Sequence, residues 1–151
     1  MKETFGLDSN VFVRLYDENG VLKDQREIHN LVTTNGKIAI MDQLLSVPSI
    51  NKKMGWMELG TGSGCTAAST TLSSYTGSRV AMAKTQGAGT SVITCVTTFG
   101  AGVSTNSAIT EAGTFDSNTS NAGNMWMYAS FVAINKGASD TLTITWTLTA
   151  S

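Results

Sequence analysis

The sequence predicts a mainly β fold, an antiparallel, jelly-roll-like β-sandwich with an N-terminal hairpin and one short α-helix near residues 34–45. Three observations carry this. From Thr141 to Thr149 every second residue is threonine, with Leu142, Ile144, Trp146 and Leu148 between them. Successive strand side chains point to opposite faces, so this alternation writes one buried face and one wet one. Asp17-Glu18-Asn19-Gly20 separates two extended stretches, and Asn-Gly is a strong hairpin signal because both residues accept positive φ. Polar turns rich in Gly, Asn, Asp and Ser then recur at short intervals, marking out roughly eight strands.

Taken in order, Val11 to Tyr16 alternates as a strand with Val11, Val13 and Leu15 on one side. Val21 to His29 returns beside it, and its Lys23, Asp24, Arg26 and Glu27 suit an edge guarded by charge. Thr34 to Leu45 reads as the helix, capped by Thr34 or Asn35, with Ile38, Met41, Leu44 and Leu45 near helical spacing and Ser46-Val47-Pro48-Ser49 ending it. The helix is expected to plug one end of the sandwich. Trp56 to Gly60 is a short strand that feeds the loop Gly60-Thr61-Gly62-Ser63-Gly64.

Cys65 to Ser78 is small and polar, a long surface loop anchored by Leu72 and Tyr75. Arg79 to Lys84 and Thr90 to Phe99 are strands, and Ala108 to Ala112 is a short one. Asp116 to Asn124 is a turn. Met125 to Ile134 is apolar on both faces, which places it inside a sheet covered by a second sheet or by a neighbouring subunit. One domain over residues 1–151 follows, with residues 1–10 as an N-terminal arm.

Composition narrows the function. The chain of 151 residues is 41% hydrophobic but only 14% charged, against roughly 25% charged in ordinary soluble domains. Hydroxyls and small side chains make up the difference, and such a surface orders at little entropic cost in flat subunit contacts. A net charge of −1 offers no basic stripe for nucleic acid. Lys52-Lys53 is the one adjacent basic pair and reads as a solvated loop. The polar start Met1-Lys2-Glu3-Thr4-Phe5-Gly6 does not resemble a signal peptide, and no apolar run approaches a membrane span, so synthesis in the cytosol is expected.

Candidate chemistry is sparse. His29 is the single histidine, and nothing nearby supplies a catalytic triad or, with the distant Cys65 and Cys95, a zinc site. A Cys65–Cys95 disulfide is not expected in a reducing compartment. Gly60–Gly64 lacks the Lys-Ser/Thr pair and helix of a phosphate loop. Asp8, Asp17, Glu18 and Asp24, or Glu111, Asp116 and Asp140, could be imagined as glycosidase pairs, but they fall in turn contexts where acids serve the backbone. Asn118-Thr119-Ser120 fits a glycosylation pattern without a secretory signal. No catalytic, cofactor or metal site is expected. Trp126, Tyr128 and Trp56 are the candidate subunit-interface residues, since Trp and Tyr favour such anchors.

Ala108-Ile109-Thr110-Glu111-Ala112-Gly113-Thr114-Phe115, Asn124 to Phe131 and Asn135-Lys136-Gly137-Ala138-Ser139-Asp140-Thr141-Leu142-Thr143-Ile144-Thr145-Trp146 together resemble a set of small tailed-bacteriophage virion proteins. There an ITEAG-hydrophobic-F turn precedes an aromatic strand and an INKGASDTLTITW-type hairpin. Asn30-Leu31-Val32-Thr33 and Glu58-Leu59-Gly60-Thr61-Gly62 extend the likeness, which covers most of the chain after residue 29. An apolar residue is more usual where Thr114 stands.

The resemblance implies a capsid decoration, or cement, protein rather than an enzyme, found on the outer capsid surface of the virion and made in the host cytoplasm. Its implied partners are the major capsid protein and copies of itself, expected as a trimer. No cofactor, nucleic acid or membrane is implied. The capsid contacts are expected in the N-terminal arm and the long loop, at Phe5, Leu7, Leu72 and Tyr75. The alternatives are a tail tip, collar or fibre-associated subunit, or a β-sandwich that binds host glycans through exposed aromatics.

Overall fold

The computed structural model describes residues 6–43 and 53–151. They form ten strands and one helix in two antiparallel five-stranded sheets. The strands are β1 (Leu7–Tyr16), β2 (Leu22–His29), β3 (Leu31–Val32), β4 (Trp56–Gly60), β5 (Tyr75–Ala81), β6 (Ala83–Gln86), β7 (Val92–Phe99), β8 (Asn106–Phe115), β9 (Met125–Lys136) and β10 (Thr141–Ala150). Sheet A runs β2-β1-β10-β7-β6 and sheet B runs β3-β9-β8-β4-β5. The antiparallel sandwich read from the alternation is the fold. Of the expected arm, Leu7 to Asn10 is strand, paired with Thr147 to Ala150, and residues 1–5, with Phe5, lie outside the described residues.

The core sits where the alternation puts it. Val11, Val13, Leu15, Leu142, Ile144 and Trp146 of sheet A meet Met57, Leu59, Ala112, Met127 and Ala129 of sheet B, all buried. Trp146 is fully buried and donates its indole N–H to Ser9 Oγ at 2.9 Å, which satisfies the one polar atom its burial would otherwise strand. Cys95 lies in this core and Cys65 in a second cluster, and both are free thiols.

Several boundaries differ from the sequence reading, each for a physical reason. In the first hairpin only Gly20 takes positive φ, at 78°. Asp17 Oδ1 accepts from the N–H groups of Asn19 (2.9 Å) and Val21 (2.8 Å), and this side-chain anchor makes a longer turn than the two-residue form. Arg79 to Lys84 is not one strand: the chain leaves sheet B at Met82 and enters sheet A as β6. The long loop ends at Ser74, because Tyr75 already pairs with Gly60. The ITEAG segment is the centre of the ten-residue strand β8, not a turn.

The helix α1 spans Thr34–Asp42, and its cap is Thr33, whose hydroxyl accepts from Gly36 N at 3.0 Å. Ile38 and Met41, expected inward, are exposed, whereas Gly36 and Ala39 are buried. The reason is close approach: a Cβ on Gly36 would collide with the Trp126 carbonyl of β9. A helix that rests on a strand's backbone turns its smallest residues inward. Leu44, Leu45 and Pro48 lie outside the described residues. Gly36→Ala is expected to lower unfolding free energy by about 1–3 kcal/mol through overpacking, and urea denaturation measures it; an unchanged midpoint would mean the helix can slide away from β9 without loss.

Thr114 is fully buried, and its hydroxyl has no hydrogen-bond partner. An unpaired buried hydroxyl costs about 1–3 kcal/mol. Thr114→Val, which keeps the shape and removes the polar atom, is therefore expected to raise stability by about 1 kcal/mol. Differential scanning calorimetry checks this, and a lowered Tm is the contrary result.

Candidate interaction surface

The outer faces of the two sheets are treated differently by the fold. On sheet B the outward residues include Trp56, Glu58, Glu111, Phe115, Met125 and Tyr128, and the chain's own loops lie over them, while Val132 further along β9 stays exposed. Leu72 of the long loop is buried against Phe115, Met125 and Tyr128, with Trp56 and Cys65 packed alongside. Backbone bonds fix the cover in place: Met125 N to Thr70 O (3.1 Å), Thr34 N to Ala67 O (2.7 Å) and Thr61 N to Ser74 O (2.8 Å).

Two buried acids hold these loops. Glu58 and Arg79 form an ion pair of 3.1 Å with both side chains fully buried. Arg79 Nη1 donates to the carbonyls of Ser117 (2.9 Å) and Ala122 (2.8 Å), and its guanidinium lies 3.6 Å from the Phe115 ring centroid. Ser120 Oγ donates to the other Glu58 oxygen. The turn at residues 116–124 is thus tied down by one arginine and one glutamate.

Glu111 does the same for the long loop. Its Oε1 accepts from the backbone N–H of Ser74 (2.9 Å) and Gly62 (3.2 Å), and Ser73 Oγ donates to its Oε2 at 3.0 Å. A Cβ on Gly62 would run into the Ser73 hydroxyl and the Glu111 carboxylate. Gly60 and Gly62 therefore serve a close approach to a buried carboxylate, not a flexible exit. Tyr128 has a buried hydroxyl without a hydrogen bond, and its pKa is pushed up to about 12, first by burial and then by the Glu111 charge. The Cys65 thiol is pushed up for the same two reasons. Both acids are sealed from solvent and engaged.

The interface expectation for Trp126 and Tyr128 is corrected here. They are 7% and 5% exposed. The second apolar face of β9 is covered by the Cys65–Ser74 segment of the same chain, and Trp126 lies near Asp116, its indole N–H 3.5 Å from Oδ2. Trp56 is half-buried against the same cluster. Leu72 is an internal anchor, whereas Leu7 is half-buried, packed on one side against the main core and open on the other to the cleft beside His29. Tyr75 is 46% exposed.

Among the described residues no loop covers sheet A in this way. Its outward rows run straight across the strands: Glu27–Phe12–Thr145–Val96–Ala83, then His29–Asn10–Thr147–Thr94–Thr85, with Arg14–Thr143–Thr98 on the other side. The five alternate threonines of β10 form its central column. Thr98 and Thr143 hydroxyls sit 3.3 Å apart, Asn10 donates to Glu27 at 2.7 Å, and Arg14 lies over Phe12 at 5.1 Å. Charge enters these rows only at Arg14 and Glu27, with His29 at one end, and Asp8 stands in the next row, Asp8–Thr149–Val92. Strand spacing near 4.8 Å and a rise near 3.3 Å per residue give the face roughly 600–650 Å². That is at the lower end of one partner's share, ~800 Å², of a standard protein interface.

His29 lines a cleft of about 570 Å³ with Asp8, Lys37, Ile40 and Met41. Among the described residues no group of three or more His, Cys, Asp or Glu could hold a metal. No described helix is long and apolar enough to cross a membrane.

At the far end, Asp140 accepts from Gly137 N (2.9 Å) and pairs with Lys23 (2.8 Å), which ties the β9–β10 turn to β2. The Lys23 hydrogen bond, the Gly137 N–H and the nearby lysine charges hold its carboxyl below the usual value of 3.8. A depressed acid stabilises the fold above its unfolded pKa and loses that contribution as pH falls through the folded one. Asp140→Asn should therefore flatten the loss of stability below about pH 4. Thermal melts across acid pH test it, and an unaltered acid limb is the contrary outcome. Burial lowers the neighbouring Lys136, with the opposite sign: its charging cost is relieved as pH rises towards 10.5.

No family model, curated protein or solved structure matches this chain.

Proposed function

We propose that this protein is a bacteriophage virion structural protein that coats the outside of the capsid as a decoration protein. The observation that carries the reading is the asymmetry of the sandwich. One outer face is covered by the chain's own loops over β4, the end of β8 and the start of β9, and the other is a broad, weakly charged threonine field of interface size. The likeness of β8, β9 and β10 to small virion proteins points the same way. In this role sheet A lies against the capsid and bridges neighbouring major capsid subunits. Threonine suits it, because its branched side chain loses little rotamer freedom on docking and its methyl and hydroxyl serve apolar and polar neighbours alike.

The mechanism is mechanical. Each copy adds contacts that must break before the shell ruptures under packed DNA. Symmetry repeats them, so modest contacts sum to a large resistance. A face that fits the mature lattice better than the immature one would also favour expansion by differential binding.

Copy number in purified virions, measured by quantitative mass spectrometry against the major capsid protein, tests this. A count comparable to the capsid protein, or a simple fraction of it, is expected. A handful of copies would move the protein to the tail or a vertex. Absence from virions would sink the structural reading and turn attention to glycan binding.

A further inference from the structure

We propose that Asn19 is a site of spontaneous deamidation in the native protein and that the fold protects the other Asn-Gly pair, Asn35-Gly36, from the same reaction. This goes beyond the capsid role and does not depend on it. In the reaction the deprotonated amide nitrogen of Gly20 attacks Asn19 Cγ and a new N–Cγ bond closes a five-membered succinimide. The Cγ–Nδ2 bond breaks and ammonia leaves. Water then opens the ring at either carbonyl to give aspartate or isoaspartate. Water enters and ammonia departs, with no change of oxidation state. A following glycine permits the attack because no side chain blocks its nitrogen.

The sequence contains two such pairs, and the fold sets them apart. Asn19 and Gly20 are both exposed at the tip of the β1–β2 hairpin. Gly20 N donates to the Asp17 carbonyl at 3.1 Å, Asp17 N donates to the Val21 carbonyl at 2.9 Å, and the remaining ties of the turn are the exposed bonds to Asp17 Oδ1. Exposed bonds at a loop tip open at low free energy.

Gly36 instead lies buried in the first turn of α1. Its N–H is donated to Thr33 Oγ1, and its Cα is pressed against the Trp126 carbonyl. The Asn35 amide donates to Asn124 Oδ1 at 2.9 Å. The attack at Asn35 therefore needs the helix to lift off β9, whereas at Asn19 it needs only the turn to open. Conversion at Asn19 would add a third carboxylate beside Asp17 and Glu18. In the isoaspartyl product it would also lengthen the main chain by one carbon, undoing the contacts that Asp17 makes.

The test holds the folded protein at mildly alkaline pH and physiological temperature for weeks, then follows tryptic peptides by mass spectrometry. Asn19 falls in the peptide Leu15–Lys23 and Asn35 in the peptide Glu27–Lys37, so each reports separately. Conversion at Asn19 should run at least about tenfold faster than at Asn35 in the native state, and the ratio should fall towards one in concentrated urea. Asn19→Ser should remove the mass gain from the first peptide. Equal rates in the folded protein, or a faster Asn35, would overturn the proposal.

Discussion

Arg79→Ala is expected to lower the free energy of unfolding by about 3–5 kcal/mol, the cost of leaving a buried carboxylate without its counter-charge. Glu58 would keep Ser120 as a partner, but its side chain stays fully buried. Against a total stability of about 5–15 kcal/mol this is a large fraction, and it corresponds to a fall in Tm of about 10 °C.

The damage should be local in the first instance. Loss of the two bonds from Nη1 to the Ser117 and Ala122 carbonyls frees the 116–124 turn, so amide exchange there should rise before global unfolding. Arg79→Lys keeps a charge but not the fork that reaches Glu58 and both carbonyls, and it should fall between wild type and alanine. The informative partner is the double replacement Glu58→Met with Arg79→Met. It removes both charges and keeps apolar volume, and it should be more stable than Arg79→Ala alone. Urea denaturation of the series decides. If Arg79→Ala costs under about 1 kcal/mol, the pair is not what holds the turn.

This buried layer is also where the sequence was least legible. Trp56-Met57-Glu58-Leu59-Gly60 reads as a short strand, and that is correct. Glu58 points away from the main core. What alternation cannot report is that loops distant in the chain then cover that side. A signal existed: in a chain so poor in charge, one glutamate in an apolar strand and one arginine opening another, Arg79-Val80-Ala81-Met82, are candidates for each other.

The helix failed for a related reason. A periodic pattern finds the apolar side of α1, but it assumes that side chains, not backbone, are the neighbours. Where α1 meets the Trp126 carbonyl, closeness of approach outweighs hydrophobicity. By contrast β10 was legible residue by residue, because both of its faces follow from one alternation and its neighbours in the sheet obey the same rule. Tryptophan and tyrosine signalled burial correctly in β9 but said nothing about which chain does the burying.

Thr145→Glu combined with Val96→Glu should abolish attachment to capsids while leaving the fold intact. The two positions face each other across β10 and β7 at the centre of the bare face, and neither side chain enters the core. Burying even one unpaired carboxylate in an interface costs about 3–5 kcal/mol, more than a hundredfold in affinity. Exposed strand substitutions in the isolated protein span only about 1 kcal/mol, so Tm should move by a few degrees at most.

Val132→Glu is the matched control. Val132 is the most exposed of the large apolar side chains among the described residues, at 74%, yet it projects from β9 on the opposite sheet. A general loss of surface hydrophobicity would weaken both variants alike. Docking through sheet A weakens only the first. Co-sedimentation of purified variants with capsids stripped of this protein separates the cases. Unimpaired binding of the double variant, or equal loss in the Val132 control, would remove sheet A as the docking face whatever the copy number proves to be.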